Sequence, residues 1–99
     1  MVIVLVCSGG VSASIFMKKM KLLAEQKQIH FTLTSCSIHQ LKQKADILLL
    51  SPQCAYAKKQ VLPYVTSMDH ILVIDSFAYS ALDAQDTLRQ IQDIMENGV

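Results

Sequence analysis

The chain has 99 residues, of which 52% are apolar, and its formal net charge is +1 at pH 7. This length supports one hydrophobic core, and the longest apolar run, residues 1–7, is far shorter than the roughly 20 residues of a membrane-spanning helix. The balanced charge without a long basic block argues against a nucleic-acid partner. Three cysteines without a CxxC pair predict free thiols in a reducing cytoplasm and not a disulfide framework.

The N-terminal part of the chain predicts a buried strand followed by an amphipathic helix. Residues 2–6 form a continuous apolar run, which is typical of a parallel strand covered on both faces. From Val11 onward, apolar residues recur at three- and four-residue steps, which predicts a helix with one buried face. The residues expected on that face are Val11, Ile15, Phe16, Met20 and Leu23.

Two further strands follow, and they differ in their patterns. Residues 30–35 alternate polar with apolar, which predicts a strand at the edge of the sheet. Ile47–Leu50 is wholly aliphatic and is expected in the centre of the sheet. Pro52 marks the start of a helix expected to run to about residue 65. Its predicted inner face consists of Ala57, Val61, Leu62 and Val65.

The C-terminal part of the chain predicts a fourth strand and a last helix. Residues 71–74 are apolar, and Asp75 and Ser76 can cap the segment that follows them. A final amphipathic helix is predicted from the spacing of Leu82, Leu88, Ile91, Ile94 and Met95.

The alternation of strands and helices predicts the fold class. We expect an α/β protein, a single-domain three-layer sandwich around a four-stranded parallel sheet with right-handed crossovers. The two most apolar strands belong in the middle and the second at an edge, so the predicted order is 2-1-3-4. The topological switch then lies between the first and third strands, where open α/β sheets bind ligands. It brings the segment after Val6 beside Ser51, Pro52 and Gln53.

A thiol stands at this predicted switch, followed by a short loop rich in glycine and hydroxyl groups. Glycines let backbone N–H groups converge, the start of a helix adds partial positive charge, and serines supply further donors to an anion. The same field favours the thiolate, so Cys7 is a candidate nucleophile. The expected phosphate-binding segment consists of Ser8, Gly9, Gly10, Val11, Ser12, Ala13 and Ser14.

A cysteine before such a loop is also the arrangement of cysteine-dependent tyrosine phosphatases. Those enzymes carry an arginine at the position that Ala13 holds here, followed by a serine or threonine such as Ser14. Without a guanidinium to clamp the phosphate, hydrolysis loses its main electrostatic help. The loop is therefore expected to form a phosphocysteine without disposing of it quickly, which is the property of a carrier.

The chain resembles the lactose/cellobiose-type IIB components of the bacterial sugar phosphotransferase system over nearly its whole length. The resemblance rests on three segments: Cys7-Ser8-x-Gly10-x-Ser12-x-Ser14, the Pro52-Gln53-x-Ala55-Tyr56 segment, and Val73-Ile74-Asp75-Ser76 with Tyr79. Gly9 and Cys54 depart mildly from the family pattern.

The resemblance implies one IIB domain over residues 1–99, with Cys7 as the phosphocysteine intermediate. The implied donor is a phosphohistidine on a IIA protein, and the implied acceptor is a sugar held by a IIC membrane permease. A cytoplasmic monomer that meets the inner face of the membrane through the permease is expected, with no metal or cofactor. Gln53, Tyr56, Asp75, Ser76 and Tyr79 are candidates for the rim of the site or for partner contacts.

Two other functions remain open at the level of the sequence. A regulatory IIB-like module would report its phosphorylation state to a partner and feed no permease. A low-molecular-weight phosphatase-like hydrolase is disfavoured by Ala13. The sequence does not identify the sugar, because the permease holds it.

Overall fold

The computed structural model describes residues 1–8 and 11–97. These residues contain four strands, namely β1 (Val2–Val6), β2 (Thr32–Cys36), β3 (Ile47–Leu50) and β4 (Ile71–Val73). The α-helices are α1 (Val11–Gln26), α2 (Lys58–Val61), α3 (Ser76–Ser80) and α4 (Gln85–Asn97). Short 3₁₀ segments cover Ile38–Gln40, Pro52–Ala57, Leu62–Tyr64 and Met68–His70. Within the two described ranges, no helix is long and apolar enough to cross a membrane.

The strands form one parallel sheet in the order β2-β1-β3-β4, which confirms the predicted fold class and strand order. The central strand β1 pairs with both neighbours, so that Val6 is opposite Cys36 on β2 and opposite Leu50 on β3. All four strands therefore end at the same edge of the sheet. The topological switch lies at this edge, between β1 and β3.

Each face of the sheet has its own apolar core. Ile3 and Leu5 of β1 face the layer formed by α1, α3 and α4. They pack there in one cluster with Phe16 of α1 and Leu88 of α4. Val4 and Val6 face the opposite layer, which the segment between β2 and β4 supplies. The main members of that second cluster are Leu41, Ala45, Leu48, Leu50, Cys54, Ala57, Val61, Val65 and Ile71. The alternation of adjacent residues between two covered faces explains why β1 and β3 are apolar throughout.

The buried face of α1 differs from the predicted one. Val11 and Ile15 are exposed, at 74% and 37% of their surface, whereas small residues at Ala13 and Ala24 are buried with Phe16 and Met20. Small side chains let the helix axis approach the sheet closely, so the helix is rotated toward them. The prediction that Val11 and Ile15 lie in the core was therefore wrong, while Phe16 and Met20 are confirmed.

Two predicted helices are interrupted in the structure. Residues 52–65 form 3₁₀ turns around the single α-turn of α2 and not one continuous helix, although Ala57, Val61 and Val65 are buried as expected. Near the C-terminus, Leu82 has a φ of 56° and lies between α3 and α4. That left-handed residue ends α3, so Leu82 does not belong to the last helix as its spacing suggested.

Candidate functional site

Cys7 lies directly after β1, at the switch edge of the sheet. Its backbone N–H donates a hydrogen bond to the carbonyl oxygen of Cys36 at 3.0 Å, which extends the pairing of β1 with β2 beyond the last strand residue. The Cys7 side chain is only 6% exposed and belongs to the same core cluster as Leu5 and Ala13. Cys7 is thus fixed by backbone pairing at the end of the central strand and is almost fully buried.

A cleft of about 180 Å³ opens onto Cys7. It lies between the end of β1 and the end of β2, and it is lined by two cysteines, three serines and a glutamine. The lining residues are Cys7, Ser8, Ser35, Cys36, Ser37 and Gln40. A cleft of this size admits a phosphoryl-sized group and is too small for a disaccharide, for which sites of several hundred Å³ are usual.

The predicted phosphate-binding segment is divided between exposed and buried side chains. Ser8, Ser12 and Ser14 are exposed, and Gly9 and Gly10 lie outside the described residues. Val11–Ser14 form the first turn of α1, whose backbone N–H groups have no partner within the helix. The side chain of Ala13 is only 4% exposed, so this residue can offer a phosphate its backbone alone.

Cys36 is a neighbour of Cys7 that the sequence did not reveal as part of the site. It is half-buried at the end of β2 and lines the same cleft. Burial, and to a smaller extent the charge of Cys7, raise the pKa of the Cys36 thiol above its usual value. Cys36 therefore remains a neutral thiol over a wider pH range than a free cysteine does.

Tyr79 is a core residue and not a rim residue, which corrects the expectation from the sequence. It is 7% exposed, and its ring packs on Phe16 with centroids 5.3 Å apart and an interplanar angle of 42°. Burial raises the pKa of its hydroxyl, with smaller contributions in the same direction from Cys7 and Cys54. Tyr79 lies close enough to Cys7 to feel its charge while remaining inside the core.

The other four rim candidates are exposed and follow the ends of β3 and β4. Gln53 and Tyr56 lie on the 3₁₀ segment Pro52–Ala57, and the Tyr56 side chain is 72% exposed. Asp75 caps α3, because its Oδ2 accepts a hydrogen bond from the backbone N–H of Ala78 at 3.1 Å. Ser76 is the first residue of that helix.

Phe77 is a further exposed residue at this edge, and no pattern in the sequence singled it out. It is the second residue of α3, four positions after the end of β4, and 86% of its surface is exposed. Its only signal was its position after Asp75 and Ser76, where an apolar residue is equally compatible with the core.

Comparison with known proteins finds a match to one protein family over almost the whole length of this chain. The family model described as "PTS system, Lactose/Cellobiose specific IIB subunit" matches residues 2–92. A curated relative, the PTS system oligo-beta-mannoside-specific EIIB component of Bacillus subtilis (strain 168), is 28% identical over 99 residues, covering 96% of each chain.

Solved structures share the fold. The cellobiose-specific phosphotransferase IIB component from Borrelia burgdorferi superimposes with a TM-score of 0.70 at 24% identity, covering 98% of this chain and 93% of that one. A low-molecular-weight protein tyrosine phosphatase from Bacillus subtilis superimposes with a TM-score of 0.58 at 13% identity, covering 98% of this chain and 99% of that one. At these identities the structural likeness describes the fold alone.

Proposed function

Since the chain belongs to the lactose/cellobiose-specific IIB subunits of the PTS system, we propose that Cys7 is the residue on which it carries a phosphoryl group. The observation that carries this proposal is the position of the thiol. Cys7 ends the central strand at the switch edge, opens onto a cleft of phosphoryl size, and precedes the first turn of α1. As a IIB component, the protein works together with other components of the sugar phosphotransferase system.

The first proposed step moves the phosphoryl group onto Cys7 from a phosphohistidine of a IIA protein. The Cys7 thiolate attacks phosphorus, the S–P bond forms, and the N–P bond of the donor breaks. The histidine nitrogen leaves with the electron pair of that bond and regains a proton. The N–H groups at the start of α1 and the neighbouring serine hydroxyls stabilise the charge on the three equatorial oxygens.

The second proposed step delivers the phosphoryl group to a sugar hydroxyl held by a IIC permease. The hydroxyl oxygen attacks phosphorus, the S–P bond breaks, and the thiolate is regenerated while a base of the permease takes the hydroxyl proton. The cleft at Cys7 accommodates the phosphoryl group alone, which supports a sugar held by another protein. The two relatives are named for oligo-β-mannosides and for cellobiose, so β-linked oligosaccharides are the first sugars to assay.

The absence of an arginine supports a carrier over a hydrolase, although the phosphatase shares the fold. Ala13, at the position of the phosphatase arginine, is packed in the core and supplies no guanidinium to the site. A phosphocysteine without this clamp is expected to persist long enough to be passed on.

Phosphorylation with purified components tests the proposal. The protein is incubated with phosphoenolpyruvate, the general phosphotransferase proteins and a IIA partner, and its intact mass is measured. One phosphoryl group is expected on wild type, on Cys36→Ser and on Cys54→Ser, and none on Cys7→Ser, because a serine hydroxyl stays protonated at neutral pH. A stable label on a histidine would contradict the carrier assignment.

Two further assays distinguish the alternatives. Membranes that contain the cognate permease should form sugar phosphate from the phosphorylated protein, whereas a regulatory module would accept the phosphoryl group without forming sugar phosphate. Hydrolysis of an aryl phosphate should be negligible, and turnover comparable with that of a dedicated phosphatase would favour the hydrolase.

A further inference from the structure

Ser51 is the neighbour of Cys7 on the other side of β1. Its backbone N–H donates a hydrogen bond to the carbonyl oxygen of Val6 at 3.0 Å, so the pairing of β3 with β1 continues past Leu50. Because Val6 is opposite Leu50, the next position along both strands brings Ser51 beside Cys7. Adjacent strands are about 4.8 Å apart, so the two residues are separated by one strand spacing.

The side chains of Ser51 and Cys7 share one face of the sheet. Leu5 on β1 and Leu49 on β3 both face the layer of α1, α3 and α4, and Cys7 belongs to the same cluster. Since side chains alternate between faces along a strand, Ser51 returns to the face of Leu49. Its hydroxyl is therefore directed to the side on which Cys7 carries its thiol.

The hydroxyl of Ser51 is buried without a partner. Ser51 is only 1% exposed, and its Oγ has no hydrogen bond to any residue in the described part of the chain. Serine at the start of a helical segment normally caps it, but Ser51 makes no capping hydrogen bond with the segment Pro52–Ala57. A buried hydroxyl without a partner is costly, and a partner in another state of the protein would offset that cost.

We propose that the Ser51 hydroxyl donates a hydrogen bond to a phosphoryl oxygen when Cys7 is phosphorylated. This inference rests on the proposed function and adds a binding residue to it. The hydrogen bond exists in the phosphorylated protein and is absent in the unphosphorylated one, so it favours transfer onto Cys7. A hydrogen bond to a charged acceptor is among the stronger ones in proteins.

The equilibrium of phosphoryl transfer between the IIA partner and this protein tests the proposal. Phosphorylated IIA is mixed with wild type or Ser51→Ala at several ratios, and both phosphorylated fractions are measured by intact mass. The equilibrium constant is expected to fall roughly ten- to hundredfold in Ser51→Ala. Thr87→Val is the matched control, since Thr87 is also buried, and its equilibrium constant should equal that of wild type.

Urea unfolding of the unphosphorylated protein separates this role from a structural one. Ser51→Ala should unfold at the same urea concentration as wild type or at a higher one, because the lost hydroxyl has no partner in this state. A lower unfolding midpoint together with an unchanged transfer equilibrium would overturn the inference and assign the hydroxyl to the fold or to a buried water. If wild type itself accepts no phosphoryl group, the proposed function fails; if wild type accepts it and Ser51→Ala equals wild type, only the role of Ser51 fails.

Discussion

The backbone N–H of Cys7 donates a hydrogen bond to the carbonyl oxygen of Cys36 at 3.0 Å, and both residues line one cleft at the carboxyl edge of the sheet. This relationship is a consequence of the parallel register, because Cys36 is opposite Val6 and so lies beside the first residue after β1. The charge of the thiol that we propose to carry the phosphoryl group contributes to the raised pKa of Cys36, so the electrostatic coupling of the two residues can be measured.

Removal of Cys7 should make Cys36 more reactive. Because the charge of Cys7 contributes to the raised pKa of Cys36, Cys7→Ala should shift the pH dependence of Cys36 alkylation to lower pH. The measurement is the rate of Cys36 modification by iodoacetamide between pH 7 and pH 10, followed by peptide mass spectrometry. Cys54→Ala is the control and should leave the curve unchanged; equal curves for all three proteins would show that the two thiols are not coupled.

The stability of the protein should fall at alkaline pH through Cys36. A group whose pKa is raised in the folded state stabilises the fold below its unfolded pKa, here 9.0, and this contribution is lost as the pH rises through the folded value. Wild type should therefore lose more free energy of unfolding between pH 8 and pH 10.5 than Cys36→Ala, measured by urea titration. Tyr79 is present in both proteins, so its own contribution cancels in the comparison. An equal loss of free energy of unfolding in wild type and Cys36→Ala over this pH range would count against a raised Cys36 pKa.

An arginine at position 13 should disrupt the fold and not create a phosphatase. The Ala13 side chain is buried beside Phe16, and a guanidinium there would be desolvated without a partner. We expect Ala13→Arg to lose about 3 kcal/mol or more of stability, or to fail to fold. Ser12→Arg, one residue earlier and exposed, should remain within about 0.5 kcal/mol of wild type. Urea denaturation of both variants measures the loss of stability. A stable Ala13→Arg protein with aryl phosphatase activity would refute the claim that burial of position 13 excludes an arginine.

Asp75 has a structural role that can be separated from a role at the rim of the site. Asp75→Ala should lower stability by about 1 kcal/mol through loss of the cap on α3, whereas Asp75→Asn keeps an acceptor for the Ala78 N–H and should be near wild type. If the carboxylate also contacts the IIA partner, Asp75→Asn will slow phosphorylation without changing stability. A normal rate in Asp75→Asn would leave Asp75 as a cap alone.

Gln28→Gly should stabilise the protein. Gln28 is exposed, has a φ of 58°, and ends α1 where the Ile29 N–H donates to the Ala24 carbonyl oxygen at 2.8 Å. Glycine adopts this left-handed conformation without the steric cost of a Cβ atom, so we expect a gain of about 0.5–1 kcal/mol in thermal or urea unfolding. Lys21→Gly, at an exposed position in the interior of α1, should lose a similar amount. A loss in both variants would show that the unfolded-state entropy of glycine dominates at position 28.

The sequence by itself determined the layout of the sheet. The wholly apolar β1 and β3 are covered on both faces only in the centre of the sheet, and the alternating β2 fits an edge. The order of the four strands and the position of Cys7 at the topological switch therefore followed from the hydrophobic pattern and the connectivity. The loop after Cys7 was recognisable because its residue types have a local chemical meaning that needs no partner elsewhere in the chain.

Only the tertiary structure decided which side chains meet at that edge. The register between strands brings Cys36 and Ser51 to either side of Cys7. Because a register results from packing on both faces of the sheet at once, a local sequence pattern does not predict it. The rotation of α1 toward Ala13 was decided in the same way, because close approach to the sheet outweighed burial of the larger Val11 and Ile15. Hydrophobic periodicity finds the elements, and side-chain contacts between distant segments depend on how those elements pack together.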